Sequence, residues 1–365
     1  MENEIKLPCS LSYIGSKMKL LDWIKDSIEK YTNKKINEFE SLADLFAGTG
    51  VVGYYMMQKG IKNVTSNDIQ HYSYIVSSVW TQHDINIGKM KKLIEEFNEM
   101  VINIENIENL GINTSDFFIY NTYSPASEPP RMYFTKYNAL KIDIIRQEIE
   151  KRKWDLSIQE YNLLIKILLY ASTRVGNISS TWGAYLKTFK KTALNPIVLD
   201  TSLLNLLLEE NVIHTVYNKD IIHLLNENDF SGTDIVYLDS PYNNRQYSSN
   251  YFVLEAISKY NNPEIKNGIT GLLKETNEGS KIFCSKVNAK KSFIEILSKI
   301  KSKYVFISYS SDSIVSKDDM IEILKVHWTN IICYTKEYKR FKSNNNGEQE
   351  ATIEEYLFAA TNLLK

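Results

Sequence analysis

The spacing of apolar and polar positions changes rhythm along this chain. From Lys17 to Tyr31 it is that of an amphipathic helix. The short apolar run from Ser41 to Phe46 reads as a strand, glycines punctuate the chain after it, and a helix is expected from Val51 to Lys59. Asn63 to Ser66 reads as a second short strand, ending at Asn67-Asp68. A strand, a turn, a helix and a strand in that order open a doubly wound sheet. The texture then becomes helical over residues 84 to 192, with Ile142, Ile145 and Ile149, or Leu164, Ile167 and Leu168, at three- and four-residue steps. Pro125 to Pro130 interrupts it as a loop. Strand-like runs resume at Val212–Tyr217, Ile235–Leu238, Val305–Ser308, Ile331–Cys333 and Tyr356–Thr361. The polar tract 342–349 between the last two is expected to be a hairpin tip. No internal repeat is visible.

This pattern divides the chain into a first sheet segment at 1–80, a helical insert at 81–196 and a second sheet segment at 197–365. At 365 residues the chain is long for a single core, which agrees with an α/β domain carrying a smaller second one. The three cysteines, Cys9, Cys284 and Cys333, are far apart and show no metal-ligand spacing, so neither a disulfide framework nor a metal site is expected. The start, Met1-Glu2-Asn3-Glu4, is unlike a signal peptide, and no apolar run is long enough for a bilayer. A cytoplasmic protein is expected.

Net charge is −1, so the molecule as a whole has no basic field. Between Arg131 and Pro196, however, twelve Lys/Arg stand against five Asp/Glu. That surplus suits a polyanion, and equally a solvated helix face.

Two loops carry chemistry. Asp44-Leu45-Phe46-Ala47-Gly48-Thr49-Gly50 is a strand running into a glycine turn and a helix, with Asp68 twenty residues after Gly48 at the end of the next strand. Glycine tolerates the turn and lets a ligand approach the main chain, while a terminal carboxylate can accept both ribose hydroxyls. Gly48 to Gly53 is also a literal GxGxxG, which fits a nicotinamide enzyme nearly as well. The acid at Asp44 argues the other way: it would repel a diphosphate and suits a cofactor bearing sulfonium and ammonium groups. Tyr13-Ile14-Gly15-Ser16-Lys17 could hold the carboxylate of such a cofactor, or could be a plain helix start capped by Ser16.

The second loop is Asp239-Ser240-Pro241-Tyr242, after the apolar strand Ile235–Leu238. In open α/β sheets ligands sit at the carboxyl ends of strands, which puts this loop opposite the glycine turn. An aromatic amine is a poor nucleophile until acceptors hold its N–H groups and push the nitrogen toward tetrahedral geometry. Asp239 supplies one acceptor and the Ser240 carbonyl, aimed by rigid Pro241, the other. Tyr242 offers a face for an extruded base. Alone, the tetrapeptide could be an ordinary strand-end turn.

Together these motifs resemble the Dam-like alpha group of adenine-specific DNA methyltransferases, in its restriction-modification and phage branch. YIGSKMKLL at 13–21, DLFAGTG at 44–50, SNDIQHYS at 66–73 and DSPYNNRQYSSNYFVLEAI at 239–257 look like its cofactor and catalytic motifs. RMYFTKYNALKIDIIR at 131–146 and NISSTWGAYLKTF at 177–189 look like its recognition insert. The resemblance covers nearly the whole chain. It implies a Rossmann-like S-adenosylmethionine-dependent sheet with an inserted, mainly helical DNA-recognition domain, acting as a monomer on double-stranded DNA; whether a cognate restriction endonuclease accompanies it stays open.

By the same resemblance Tyr13, Gly15, Ser16, Lys17, Asp44, Phe46 and Gly48 contact the methionine part of the cofactor. Asp68 holds the ribose, Ile69 packs on the adenine, and Asp220 bonds the adenine amine unless it is only a helix cap. Arg174, Trp182, Tyr185, Lys187, Lys190 and Lys191 in the insert, with Arg245 and Gln246 past the catalytic loop, are candidates for contact with DNA. One departure stands out: the family has Asp-Pro-Pro-Tyr, and Ser240 replaces the first proline. Two other readings follow from it and from the fold: a catalytically silent relative that binds cofactor or DNA, and an adenine methyltransferase acting on RNA.

Overall fold

In a computed structural model the described residues are 11, 16–102, 104, 113–208, 211–241, 248–274, 283, 285–339 and 352–363. Seven strands run through them: β1 (Ser41–Asp44), β2 (Asn63–Asn67), β3 (Ile213–Tyr217), β4 (Ile235–Leu238), β5 (Tyr304–Ser310), β6 (Trp328–Lys339) and β7 (Thr352–Asn362). They make one sheet in the order β3-β2-β1-β4-β5-β7-β6. The first five are parallel, while β7 inserts antiparallel between β5 and β6. This is the Rossmann-like α/β sheet expected from the sequence.

The described helices are α1 (Leu21–Thr32), α2 (Val51–Gln58), α3 (His71–Ser78), α4 (Ile87–Ile102), α5 (Phe118–Tyr123), α6 (Lys136–Lys151), α7 (Ile158–Val175), α8 (Ile221–Glu227), α9 (Ser248–Lys259), α10 (Lys286–Lys299) and α11 (Lys317–Lys325). None is long and apolar enough to cross a membrane.

Strand parity explains the layers, because alternate residues share a face. Ala43, Leu45, Val236, Leu238, Val305, Ile307, Phe358 and Ala360 lie on one face and pack against apolar residues of α8, α10 and α11. The other face carries Leu42, Asp44, Ile235, Tyr237, Phe306 and Ala359, in register across β1, β4, β5 and β7. Here α1 and α2 pack on β7 and β1. Gly53 of α2 lets that helix come close to the sheet: a Cβ there would sit 3.2 Å from Val64 Cγ1 and 3.3 Å from Ser66 Oγ.

The chain forms two compact units. One holds the sheet and comprises 15–77, 211–247 and 277–365. The other comprises 1–14, 78–210 and 248–276. It is helical, and its chain takes in α9 in addition to the stretch between the sheet segments. Ser157 opens α7 with a capping box completed by Glu160. Arg146, 1% exposed, ties α6 to α9 by donating to the carbonyls of Ile257 and Ser258.

Several element limits differ from the sequence reading. The helix at Lys17 is a 3-10 turn, Lys17–Lys19, followed by α1. β1 stops at Asp44, two residues before Phe46. β6 runs from Trp328 to Lys339 with a register shift between Thr329 and Ile332, so apolar periodicity marks only part of it. β7 begins at Thr352, ahead of the apolar run at Tyr356. The expected hairpin tip at 342–349 lies outside the described residues.

Candidate active site

Candidate site residues gather at the carboxyl ends of β1, β2 and β4. After β1 the chain turns through Gly48 (φ 55°) and Gly50 (φ 72°), both in the left-handed region that glycine accepts without strain. Asn67, at the end of β2, braces this turn. Its carbonyl accepts from Ala47 N–H at 2.9 Å, and its side-chain amide donates to the carbonyls of Leu45 and Lys219. Asp68 follows. Its carboxylate accepts Gly48 N–H at 2.9 Å on Oδ2 and Gln70 N–H at 2.8 Å on Oδ1.

Asp44 is 1% exposed. Its carboxylate accepts the Phe46 N–H, yet Oδ1 has no hydrogen-bond partner among the described residues. Burial, reinforced by the like charges of Asp239 and Asp68, holds this carboxyl well above the usual range. Phe46 stands edge-on to Phe283, with ring centres 5.5 Å apart. Ile69 is half-buried beside Asp68.

Asp239, one step beyond β4, is paired with Lys17: Nζ lies 3.1 Å from Oδ1, and the side chains are 3% and 18% exposed. Burial raises the Asp239 carboxyl and the Lys17 charge opposes that rise. Ser16 stands at the start of the Lys17 turn but makes no side-chain cap bond. Lys17 therefore contacts Asp239 directly, at the start of the loop after β4. Ser240 is 1% exposed, with a hydroxyl that has no partner among the described residues. Pro241 is half-buried. Tyr13, Gly15, Tyr242, Arg245 and Gln246 lie outside the described residues.

Asp220 caps α8: its Oδ1 accepts the N–H groups of Ile222 (2.9 Å) and His223 (3.4 Å). One acidic residue escaped the sequence reading. Glu355, 7% exposed on β7, has an Oε2 with no partner among the described residues; burial raises its carboxyl, the Lys17 charge opposes that rise and the Asp239 charge adds to it. It sits one residue before the apolar run used to place the last strand, so the run alone left it out.

In the helical unit the DNA candidates separate. Trp182 is a core residue: fully buried, it packs on Tyr133 and Phe134 and leaves no face for DNA, which corrects the expectation that it contacts DNA. Arg174 pairs with Asp200 at 2.7 Å. Tyr185 is half-buried, edge-on to Tyr133. Lys190 donates to the Ile178 carbonyl, and burial lowers its pKa. Lys187 and Lys191 are exposed. The basic surplus shrinks likewise. Arg131, Lys141, Arg146 and Lys166 are buried, while Lys151, Arg152 and Lys153 pair with acids, so charge counted along the sequence overstates charge on the surface.

The comparisons with known proteins point one way. A family model described as D12 class N6 adenine-specific DNA methyltransferase matches residues 13–323. The type II methyltransferase M.CviAII of Paramecium bursaria Chlorella virus 1 is 38% identical over 356 residues, which is 95% of this chain and 97% of the relative. M.NlaIII of Neisseria lactamica is 33% identical, over 94% of this chain and 97% of its own. M.FokI of Planomicrobium okeanokoites is 35% identical over 95% of this chain, which spans 52% of that longer protein. With a seven-stranded α/β sheet, and a glycine turn, a paired Asp239 and an acid after β2 at the carboxyl ends of its strands, the chain belongs to the D12 class of N6 adenine-specific DNA methyltransferases.

Proposed function

We propose that the site takes S-adenosylmethionine as methyl donor and serves the amino nitrogen of an adenine extruded from double-stranded DNA. One observation carries the choice of cofactor: the charges of Asp239 and Asp68 both bear on the buried Asp44 at one end of the sheet. Such a field disfavours a diphosphate and favours a cation. The buried Asp44 Oδ1, without a partner among the described residues, fits an ammonium, the glycine turn admits a ligand to the main chain, and Asp68 fits a ribose. Tyr13, Gly15 and Ser16 would complete the methionine end, with Ile69 against the adenine. The Asp220 carboxylate would serve that adenine only through the oxygen not engaged in the cap. When bound, the cofactor supplies an electrophilic methyl group on a positive sulfur.

The residues of the chain do the rest. Asp239 accepts one amine hydrogen and the Ser240 carbonyl the other, which localises the nitrogen lone pair. Lys17 favours the ionised form of Asp239, as an acceptor requires. Pro241 fixes the loop and Tyr242 stacks on the base. Position 240 contributes its main chain, so a serine is compatible with turnover.

The helical unit would recognise the site as a monomer, with Lys187 and Lys191 on phosphate and Arg245 and Gln246 near the flipped base. Several relatives are type II methyltransferases, which supports a role in protecting DNA from a cognate endonuclease. The test is transfer from labelled S-adenosylmethionine to unmethylated DNA, with long-read sequencing of DNA from an expressing host. N6-methyladenine at one short sequence supports the reading. Methylation of RNA instead, or tight binding of a nicotinamide dinucleotide without S-adenosylmethionine, contradicts it. Cofactor binding without transfer, restored by Ser240→Pro, identifies a silent relative.

A further inference from the structure

Glu355 stands across from Ser310 of β5 and Lys336 of β6. Its parity is that of Leu357 and Ala359, which places it on the face of the sheet that carries Asp44 and Tyr237 and leads to Asp239. Both of those β7 neighbours are buried and apolar, so packing gives no reason for a carboxylate there. Burying one is costly unless a charge answers it. The answering charge is the Lys17 ammonium, itself 3% exposed and 3.1 Å from Asp239. Burial, reinforced by the like charge of Asp239, raises the Glu355 carboxyl, and the Lys17 ammonium opposes that rise as it does for Asp239.

Among the described residues, the charged and titratable groups that bear on Glu355 or stand across from it come from several elements. Lys17 comes from the 3-10 turn, Tyr237 and Asp239 from β4 and its loop, and Lys336 from β6, its Nζ 6.0 Å from the Trp23 ring centre of α1. Ser310 of β5 is uncharged. Burial raises the Tyr237 phenol well above its ordinary value, so it stays neutral.

We propose that Glu355 is a positioning residue for methyl transfer: by sharing the Lys17 ammonium with Asp239, it keeps Asp239 a strong hydrogen-bond acceptor for the target amine. With Lys17 answering Asp239 alone, the ion pair would be satisfied, and the carboxylate would give up acceptor strength to the ammonium. With Glu355 ionised nearby, Asp239 is more basic and Lys17 is held from two sides. This rests on the reading of Asp239 as the amine's acceptor.

The test is the pH dependence of kcat for wild type, Glu355→Gln and Glu355→Asp, with Asp239→Ala as control. The acid limb reports protonation of Asp239 in the complex. Removing the like charge at 355 should move that limb to lower pH by about one unit and lower the plateau, with cofactor affinity unchanged. Glu355→Asp, which withdraws the charge by one methylene, should move it the same way by less, and it stands in if the glutamine variant does not fold. An unmoved limb in the folded variants overturns the proposal, and so do equal shifts in both, which would make packing the cause. If Asp239→Ala retains transfer, the reading of Asp239 itself fails. A dead Asp239→Ala beside an unmoved Glu355→Gln limb refutes only the role of Glu355.

Discussion

Asp44 shows how one residue can trade stability for binding. Its native carboxyl is held above the usual range by burial and then by Asp239. The folded protein therefore binds a proton there that the unfolded chain has already released. Stability contributed by that proton is lost as pH rises from the ordinary carboxylate value through the native one. Asp44→Asn should accordingly melt at a higher temperature than wild type near neutral pH, an advantage that shrinks in acid. The same variant should lose about 2 kcal/mol of cofactor affinity, the scale of a hydrogen bond to a charged group. Cofactor affinity of the wild type should fall with pH, because a bound cation favours the ionised form; calorimetry in buffers of different ionisation enthalpy would show a proton released on binding. Ser240 is the opposite case. Its hydroxyl is buried without a partner among the described residues, so Ser240→Ala should gain about 1 kcal/mol in denaturant unfolding and leave kcat near wild type. A large loss of kcat would show that the hydroxyl takes part.

At the scale of elements, β1 and β4 were legible because both are buried strands that end in unusual residues, an acid before glycines and Asp-Ser-Pro. Helical periodicity likewise gave α6 and α7. β7 was legible only in its apolar half, since an antiparallel strand inserted between two others can carry polar residues at its open end, and Glu355 was lost with them. No local pattern reveals that Lys17 meets Asp239: the two are far apart in sequence and the sheet topology joins them. Asp143 makes the same point in the helical unit. Buried within α6, it accepts the N–H groups of Ile119 and Tyr120 at the start of α5 and the Tyr260 hydroxyl, and burial pushes its carboxyl up to about 7. Along the chain it reads only as an acid on a helix. Asp143→Ala leaves those three donors without their acceptor, so it should destabilise the protein by about 2–4 kcal/mol in urea unfolding. An unchanged midpoint would show that α5 does not depend on this cap.

For the molecule as a whole, net charge says little about DNA because so many cations of the helical stretch are buried or paired. The exposed Lys187 and Lys191 carry the prediction instead. The double alanine variant should bind all duplexes more weakly, and the slope of log affinity against log salt should fall by about two, one per phosphate contact. A loss confined to one sequence would assign them to bases rather than phosphates. The central claim, that Asp239 activates the amine and does not hold the cofactor, is tested most directly by Asp239→Asn, measured for single-turnover methyl transfer to DNA and for equilibrium binding of S-adenosylmethionine. The account predicts transfer reduced by at least about a thousandfold with cofactor affinity changed only a few fold. Transfer at the wild-type rate, or a collapse of cofactor binding, would contradict it.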